Sequence, residues 1–156
     1  LEPKNVMTFL NQGNIYSAMG KYDLAEASYL NAIDINPYYL FGHINLAKTY
    51  LASGKASEAI NILKNVLSWR KSDPEVFLYL GLAYSFQKEV ESARKSFEKS
   101  LDLDPTYSLT HYYLGVHYMK RHRGKAQEHL KKFINLESKD VDEKLIQNAE
   151  KLLNFF

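Results

Sequence analysis

Residues 74–107, PEVFLYLGLAYSFQKEVESARKSFEKSLDLDPTY, decide the fold, because much of the remaining chain repeats them at a distance of 34 residues. Stepping by 34 from Tyr84 lands on Tyr50, Tyr16 and Tyr118, and stepping from Gly81 lands on Ala47, Gly13 and Gly115. A period of this size marks a stack of small supersecondary units. Within the quoted copy, Phe77, Leu80, Ala83 and Tyr84 recur at helical spacing, as do Ala93, Phe97 and Leu101 after them, so the unit is a pair of helices. Pro74 suits a first helical turn, where its missing N–H is not needed, and Pro105 stops the second helix. The turn between them is expected at Gln87–Glu91. A glycine inside a helix costs roughly 0.5–1 kcal/mol relative to alanine, so Gly81 implies close approach of the partner helix, with Ala93 expected to face it.

Outward from this copy, residues 1–5 read as a lead-in and residues 6–39 as a first repeat carrying Phe9, Gly13, Tyr16, Gly20, Ala25, Tyr29, Ala32 and Pro37. Residues 40–73 form a second repeat whose closing proline is replaced by Lys71 and whose last aliphatic position holds Trp69, read as inter-repeat packing. Residues 108–138 form a fourth repeat that loses one residue near His122–Lys125, with Gly124 at the boundary between helices. Residues 139–156 close the chain as a ninth helix, in which Asp140 and Glu143 read as a capping pair and Val141, Leu145, Ala149, Leu152 and Phe156 as one apolar stripe. A stack leaves an apolar face at its end, and such a helix would cover it.

The formal charge of +2 over 156 residues is too mild to argue for nucleic acid or an anionic membrane, and no apolar run approaches the 18 or so residues of a bilayer span. A soluble chain is expected. Without cysteine there is no disulfide, zinc–thiolate site or cysteine nucleophile. Since the first residue is Leu1, upstream processing or truncation is expected to have removed any targeting signal; the compartment stays open, cytoplasmic by default and bacterial extracytoplasmic also compatible.

The run Phe77, Leu80, Gly81, Tyr84, Ala93, Phe97, Ser100 and Pro105 resembles the signature of the tetratricopeptide repeat family. The first copy departs from it at Gln12 in place of leucine, the second at Ala47 and Lys71, and the fourth lacks the proline. The resemblance implies an all-α, right-handed superhelical solenoid of four helix pairs plus a capping helix, with a groove lined by the first helix of each pair that holds a partner's peptide. On that geometry the groove residues are Asn14, Phe41, Asn45, Lys48, Tyr79, Leu82, Phe86, Tyr112, Tyr113 and Val116, with Met7, Leu10, Ile44, Leu51, Leu78 and Leu109 among their neighbours. This is a mostly apolar and aromatic face, of the kind that marks a binding site or is covered within the chain. Family members that clamp the acidic C-termini of heat-shock chaperones use lysines, an arginine and asparagines. Here Asn14 and Asn45 are kept, but Leu10, Glu75 and Tyr79 stand where cations belong, so no such clamp is expected.

Catalytic chemistry finds little footing. Gly54-Lys55 lacks the upstream glycine of a phosphate-binding loop. His111, His117, His122 and His129 lack the i, i+4 spacing that pairs two metal ligands on a helix, and His43 and His111 occupy the packing position of Phe9 and Phe77. The basic cluster Lys120, Arg121, Arg123, Lys125, Lys131 and Lys132 reads as solvated charge before it reads as a nucleic-acid site. The expected function is a non-catalytic scaffold or adaptor for a hydrophobic or amphipathic segment of another protein, with no cofactor, metal or small-molecule substrate. The alternatives are a self-assembling module and a regulatory or substrate-recruiting part of a larger protein.

Overall fold

The structure is a computed structural model that describes residues 3–136 and 143–156. Among these residues are nine helices and no strand: α1 (Pro3–Ala18), α2 (Tyr22–Ile35), α3 (Leu40–Ala52), α4 (Ala56–Trp69), α5 (Pro74–Phe86), α6 (Val90–Leu103), α7 (Ser108–Tyr118), α8 (Arg123–Leu136) and α9 (Glu143–Leu153). The first helix already begins at Pro3, inside the stretch expected as a lead-in. Asp140 and Val141 of the expected cap and stripe lie outside the described residues.

Each helix packs on the next, and α1, α3, α5 and α7 also meet in turn. The first helix of every pair therefore lies beside its counterparts, and together they make one face. Apolar side chains fill the spaces between: Leu46, Leu63, Val66 and Val76 in the middle of the stack, and Leu78, Phe97 and Leu114 further along, are all at most 1% exposed. Each such side chain contributes about 1.5–3 kcal/mol on burial, and its neighbours supply the cover.

The repeated glycines have a steric cause. A Cβ on Gly81 would stand 2.6 Å from two ring carbons of Phe97, and one on Gly13 would stand 2.5 Å from the Tyr29 ring. The partner of Gly81 is thus Phe97, one turn beyond the expected Ala93. From the second pair on, the repeated tyrosines tie the first helix to the preceding second helix. Tyr50 donates to Glu26 Oε1 at 3.2 Å, Tyr118 donates to Glu98 Oε1 at 3.0 Å, and the Lys64 ammonium stands 5.6 Å from the ring centre of Tyr84.

Three of the four turns inside the pairs share one construction. The N–H groups of Gly20 and Lys21 reach back to the carbonyls of Ser17 and Tyr16, and the same pattern recurs at Gly54–Lys55 and Lys88–Glu89. It requires a left-handed residue, supplied by Gly20 (φ 71°), Gly54 (φ 78°) and, against the usual preference, Lys88 (φ 62°). In the fourth pair the missing residue is the left-handed one. The His122 N–H returns directly to the Tyr118 carbonyl, and Gly124 lies in the first turn of α8 rather than between helices.

Between the second and third pairs no proline follows α4. Asp73 instead caps α5, its carboxylate accepting from the Glu75 and Val76 N–H groups, with Arg70 paired to it at 2.9 Å. Trp69 packs at this junction against Tyr38 (ring centres 5.5 Å apart) and His43 (5.6 Å).

Candidate peptide-binding groove

The face made by α1, α3, α5 and α7 grades from polar to aromatic. At its first end, Asn14 Oδ1 accepts from the Tyr29 hydroxyl at 2.7 Å and from Asn45 Nδ2 at 3.1 Å. The two amides lie on adjacent helices and border a concavity of about 270 Å³ with Ser17, Ala18, Tyr29 and Lys48. Exposed Lys48 extends from α3 toward α5, its ammonium 5.5 Å from the ring centre of Tyr79. Tyr79 is half-buried, and burial first, then the nearby Glu75 charge, holds its phenol well above the ordinary range.

The expected site residues divide by exposure. Phe41, Phe86 and Val116 are open, at 57%, 62% and 40% exposure. Leu82 and Tyr113 are half-buried. Tyr112 is 9% exposed and belongs to a core cluster with Leu130, Phe133 and Ala149, joined by Leu145, Ile146 and Leu152. The last helix therefore covers this end of the stack and takes Tyr112 out of reach. Leu10, Ile44, Leu51 and Leu78, expected along the groove, are instead buried between neighbouring helices at 4%, 1%, 9% and 0% exposure.

At the clamp positions the structure places buried Leu10, half-buried Glu75 and half-buried Tyr79. Starting one repeat later gives Ile44, Lys48, Tyr79, Leu109 and Tyr113, of which only Lys48 is a cation. The Glu75 carboxyl is held above its usual range, by burial first, against the opposing charge of Lys48.

Two histidine sites escaped the sequence reasoning in detail. His43 Nε2 lies 2.8 Å from the Pro37 carbonyl and His111 Nε2 lies 3.0 Å from the Pro105 carbonyl. The recurrence of proline six residues before histidine at both places was the available signal. His111 Nδ1 then lies 2.8 Å from His129 Nδ1 on α8. Because Nε2 of His111 donates to a carbonyl, its Nδ1 accepts, and His129 donates from Nδ1. Burial pushes both imidazoles down, His129 to about 4. His43 has no such partner: its buried Nδ1 makes no hydrogen bond among the described residues.

Three residues of the basic cluster are engaged within the chain. Lys132 pairs with Glu128 at 2.9 Å, Arg123 stands 5.8 Å from the Phe156 ring centre, and Lys125 stands 5.4 Å from that of Tyr118. Among the described residues no helix is long and apolar enough to cross a membrane.

Paired helices at a constant period, glycines under aromatic rings and one shared inner face define a helical-repeat protein, and the chain belongs to the tetratricopeptide repeat family. That repeat is matched at residues 6–39, 43–76 and 74–107. The chain is similar to small glutamine-rich tetratricopeptide repeat-containing protein 2 of Saccharomyces cerevisiae, with 30% identity over 104 residues covering 67% of this chain and 28% of that protein. It is also similar to RNA polymerase II-associated protein 3 of Mus musculus, with 27% identity over 105 residues covering 67% and 16%. It thus spans less than a third of these relatives. Among solved structures it resembles a thermophilic repeat protein of Thermus thermophilus, with TM-score 0.83 and 22% identity over 96% of this chain and 82% of that one. It also resembles the first repeat domain of Spaghetti (RPAP3) bound to the HSP90 peptide SRMEEVD, with TM-score 0.68 and 24% identity over 75% and 93%. These structural likenesses establish the fold.

Proposed function

We propose that the chain is a non-catalytic interaction scaffold whose groove binds an extended or amphipathic segment of another protein. The observation that carries this is the amide pair. Asn14 Oδ1 is occupied by two donors, which fixes both side chains and, among the described residues, leaves Asn14 Nδ2 and Asn45 Oδ1 free to act together beside the open concavity. One donor and one acceptor at this spacing complement the carbonyl and N–H of a passing peptide unit. Beyond them, Tyr79, Leu82, Phe86, Tyr113 and Val116 offer ring and aliphatic surface for the segment's apolar side chains. The repeat domain of Spaghetti (RPAP3) with its HSP90 peptide is a precedent for peptide binding on this fold, but the cations of an acidic-terminus clamp are missing here, which favours a different segment.

The test is affinity capture from native lysate with the wild-type chain beside two variants, Asn14→Ala/Asn45→Ala and Tyr79→Ala/Phe86→Ala. Phe86 is chosen over Tyr112 because Tyr112 is enclosed by α9. A protein retained by the wild type and lost from both variants, at unchanged helicity, supports the groove. Equal retention by all three refutes it.

A second reading, self-association through the first helix, is favoured by one observation. Ile15 and Met19 of α1 are 60% and 57% exposed, whereas Thr49 and Ala83, 34 and 68 residues on from Ile15, are 1% and 0% exposed against the preceding repeat. Sedimentation of the wild type and of Ile15→Lys/Met19→Lys over a wide concentration range tests it. A mass that rises for the wild type alone supports association, and two concentration-independent monomers refute it.

A further inference from the structure

If the groove binds a segment as proposed above, the chemistry at its middle decides what that segment must carry. Glu75 and Tyr79 stand one turn apart on α5, so they share a face of that helix. Tyr107 at the start of α7 and Tyr113 within it pack with Tyr79 against one core cluster, and the charge of Glu75 acts on both Tyr79 and Tyr107. The Glu75 side chain is half-buried, yet its carboxylate accepts no hydrogen bond and enters no ion pair within 4.0 Å among the described residues. A partly desolvated carboxylate without a donor is a costly arrangement unless a cation arrives to meet it.

The chain itself shows which class of cation the surroundings accept. The Lys48 ammonium is drawn over the Tyr79 ring, 5.5 Å from its centre, as the electron-rich ring face favours. Lys48 is exposed and held by no hydrogen bond among the described residues, so it is a displaceable occupant. Nearby acids add to the negative field: Asp73 acts on Glu75, and Asp73 and Asp104 act on Tyr107. Of these, Asp73 is engaged by Arg70 and by the α5 cap, and Asp104 by Thr106, which leaves Glu75 as the carboxylate of the group without a hydrogen bond or close ion pair, met only by the longer-range charge of Lys48.

We propose that the middle of the groove receives a lysine or arginine side chain from an internal stretch of the partner, its charge paired with Glu75 and its stem and head lying against the rings of Tyr79 and Tyr107. The segment is accordingly amphipathic in a defined sense. Its basic residue meets Glu75, its apolar residues follow toward Phe86 and Val116, and its backbone runs past Asn14 and Asn45. A free acidic C-terminus is excluded from this place because it would set carboxylate against carboxylate.

The test uses a randomised decapeptide library, acetylated and amidated so that neither terminus carries charge, retained on immobilised chain and read by mass spectrometry. The chains are the wild type, Glu75→Gln, Lys48→Met and Tyr79→Ala/Phe86→Ala. The expected result is enrichment of Lys or Arg at one position beside apolar residues on the wild type, lost on Glu75→Gln while the apolar preference persists. A single enriched peptide then binds Glu75→Gln roughly tenfold more weakly, as the loss of one charge-assisted contact implies, and its affinity for the wild type falls with salt. Lys48→Met binds it more tightly, because the competing cation has gone. Peptides retained equally by wild type and Glu75→Gln, or enriched in Asp or Glu, overturn this inference and leave the groove reading standing. Absence of retention, or equal retention on Tyr79→Ala/Phe86→Ala, overturns both.

Discussion

Gly81→Ala tests the packing on which the groove depends. The added Cβ would stand 2.6 Å from Cδ1 and Cε1 of Phe97 and 3.0 Å from its Cζ. Comfortable carbon contacts begin near 3.5 Å, so the ring must retreat by about 1 Å. Phe97 is 1% exposed and has no open side to retreat into. Overpacking of this kind costs about 1–3 kcal/mol, and the better helix propensity of alanine returns about 0.8–1 kcal/mol. The net expectation is a loss of about 0–2 kcal/mol, which for a chain of this size lowers the thermal midpoint by up to roughly 8 °C. Position 47 supplies the control, because there alanine stands where the partner position holds Leu63 and both are fully buried. Phe97→Leu should therefore relieve Gly81→Ala, so that the double variant is less destabilised than the two single changes added together. Urea unfolding followed by circular dichroism measures all four chains. A stabilised Gly81→Ala, or single effects that add to within about 0.5 kcal/mol, would refute the close-approach account.

Four other outcomes follow from particular contacts. Lys88→Gly should raise stability by about 0.5–1 kcal/mol, because Lys88 holds φ 62° where two other turns use glycine; a lower urea midpoint would count against the shared turn. Acid should loosen the fourth pair: His111 and His129 are held neutral, so the unfolded chain takes up protons first as pH falls below about 6.5, and stability declines from there through the folded value of about 4 for His129. Undiscounted, the His129 shift alone corresponds to about 3 kcal/mol; solvent screening of this half-exposed ring reduces this to about 1–2 kcal/mol, and His129→Gln should flatten the midpoint-versus-pH curve between pH 6.5 and 4. Removing residues 137–156 should expose Tyr112 and Phe133 and cost on the order of 5 kcal/mol, from several half-buried apolar side chains at about 1 kcal/mol each, with dye binding to the freed face as the readout. Ser100→Ala should cost about 1–3 kcal/mol in chemical denaturation, since the buried hydroxyl bonds both the Pro74 carbonyl and Thr110.

The sequence made the repeat legible because its packing problem recurs. A small residue under a large side chain of the partner helix recurs at Gly13, Ala47, Gly81 and Gly115, and from the second pair on a tyrosine reaches the preceding helix, so these columns carry the period in plain view. Which side of a first helix faces the groove was less legible. Leu10, Ile44 and Leu78 lie on the right helices but turn inward between neighbours, since apolar spacing alone does not separate a helix's two buried flanks from its inner face. Contacts between distant residues were hidden altogether: His111 meets His129 across two helices, and Phe97 rather than Ala93 meets Gly81. Both depend on how one helix is rotated against another. Lys88 was hidden for the opposite reason, since its residue type argues against the backbone conformation that its turn imposes. Tyr112 looked like groove surface because the placement of α9 against it follows from the three-dimensional stack.

The most direct measurement places a photoreactive benzoylphenylalanine, one position at a time, at Phe41, Phe86 and Val116 on the inner face and at Asn65 and Lys99 on exposed outer helices. After irradiation in native lysate, the groove account predicts the same crosslinked protein from the three inner positions and none from the two outer ones. Crosslinks from Asn65 or Lys99 alone, or none from any inner position, would contradict it.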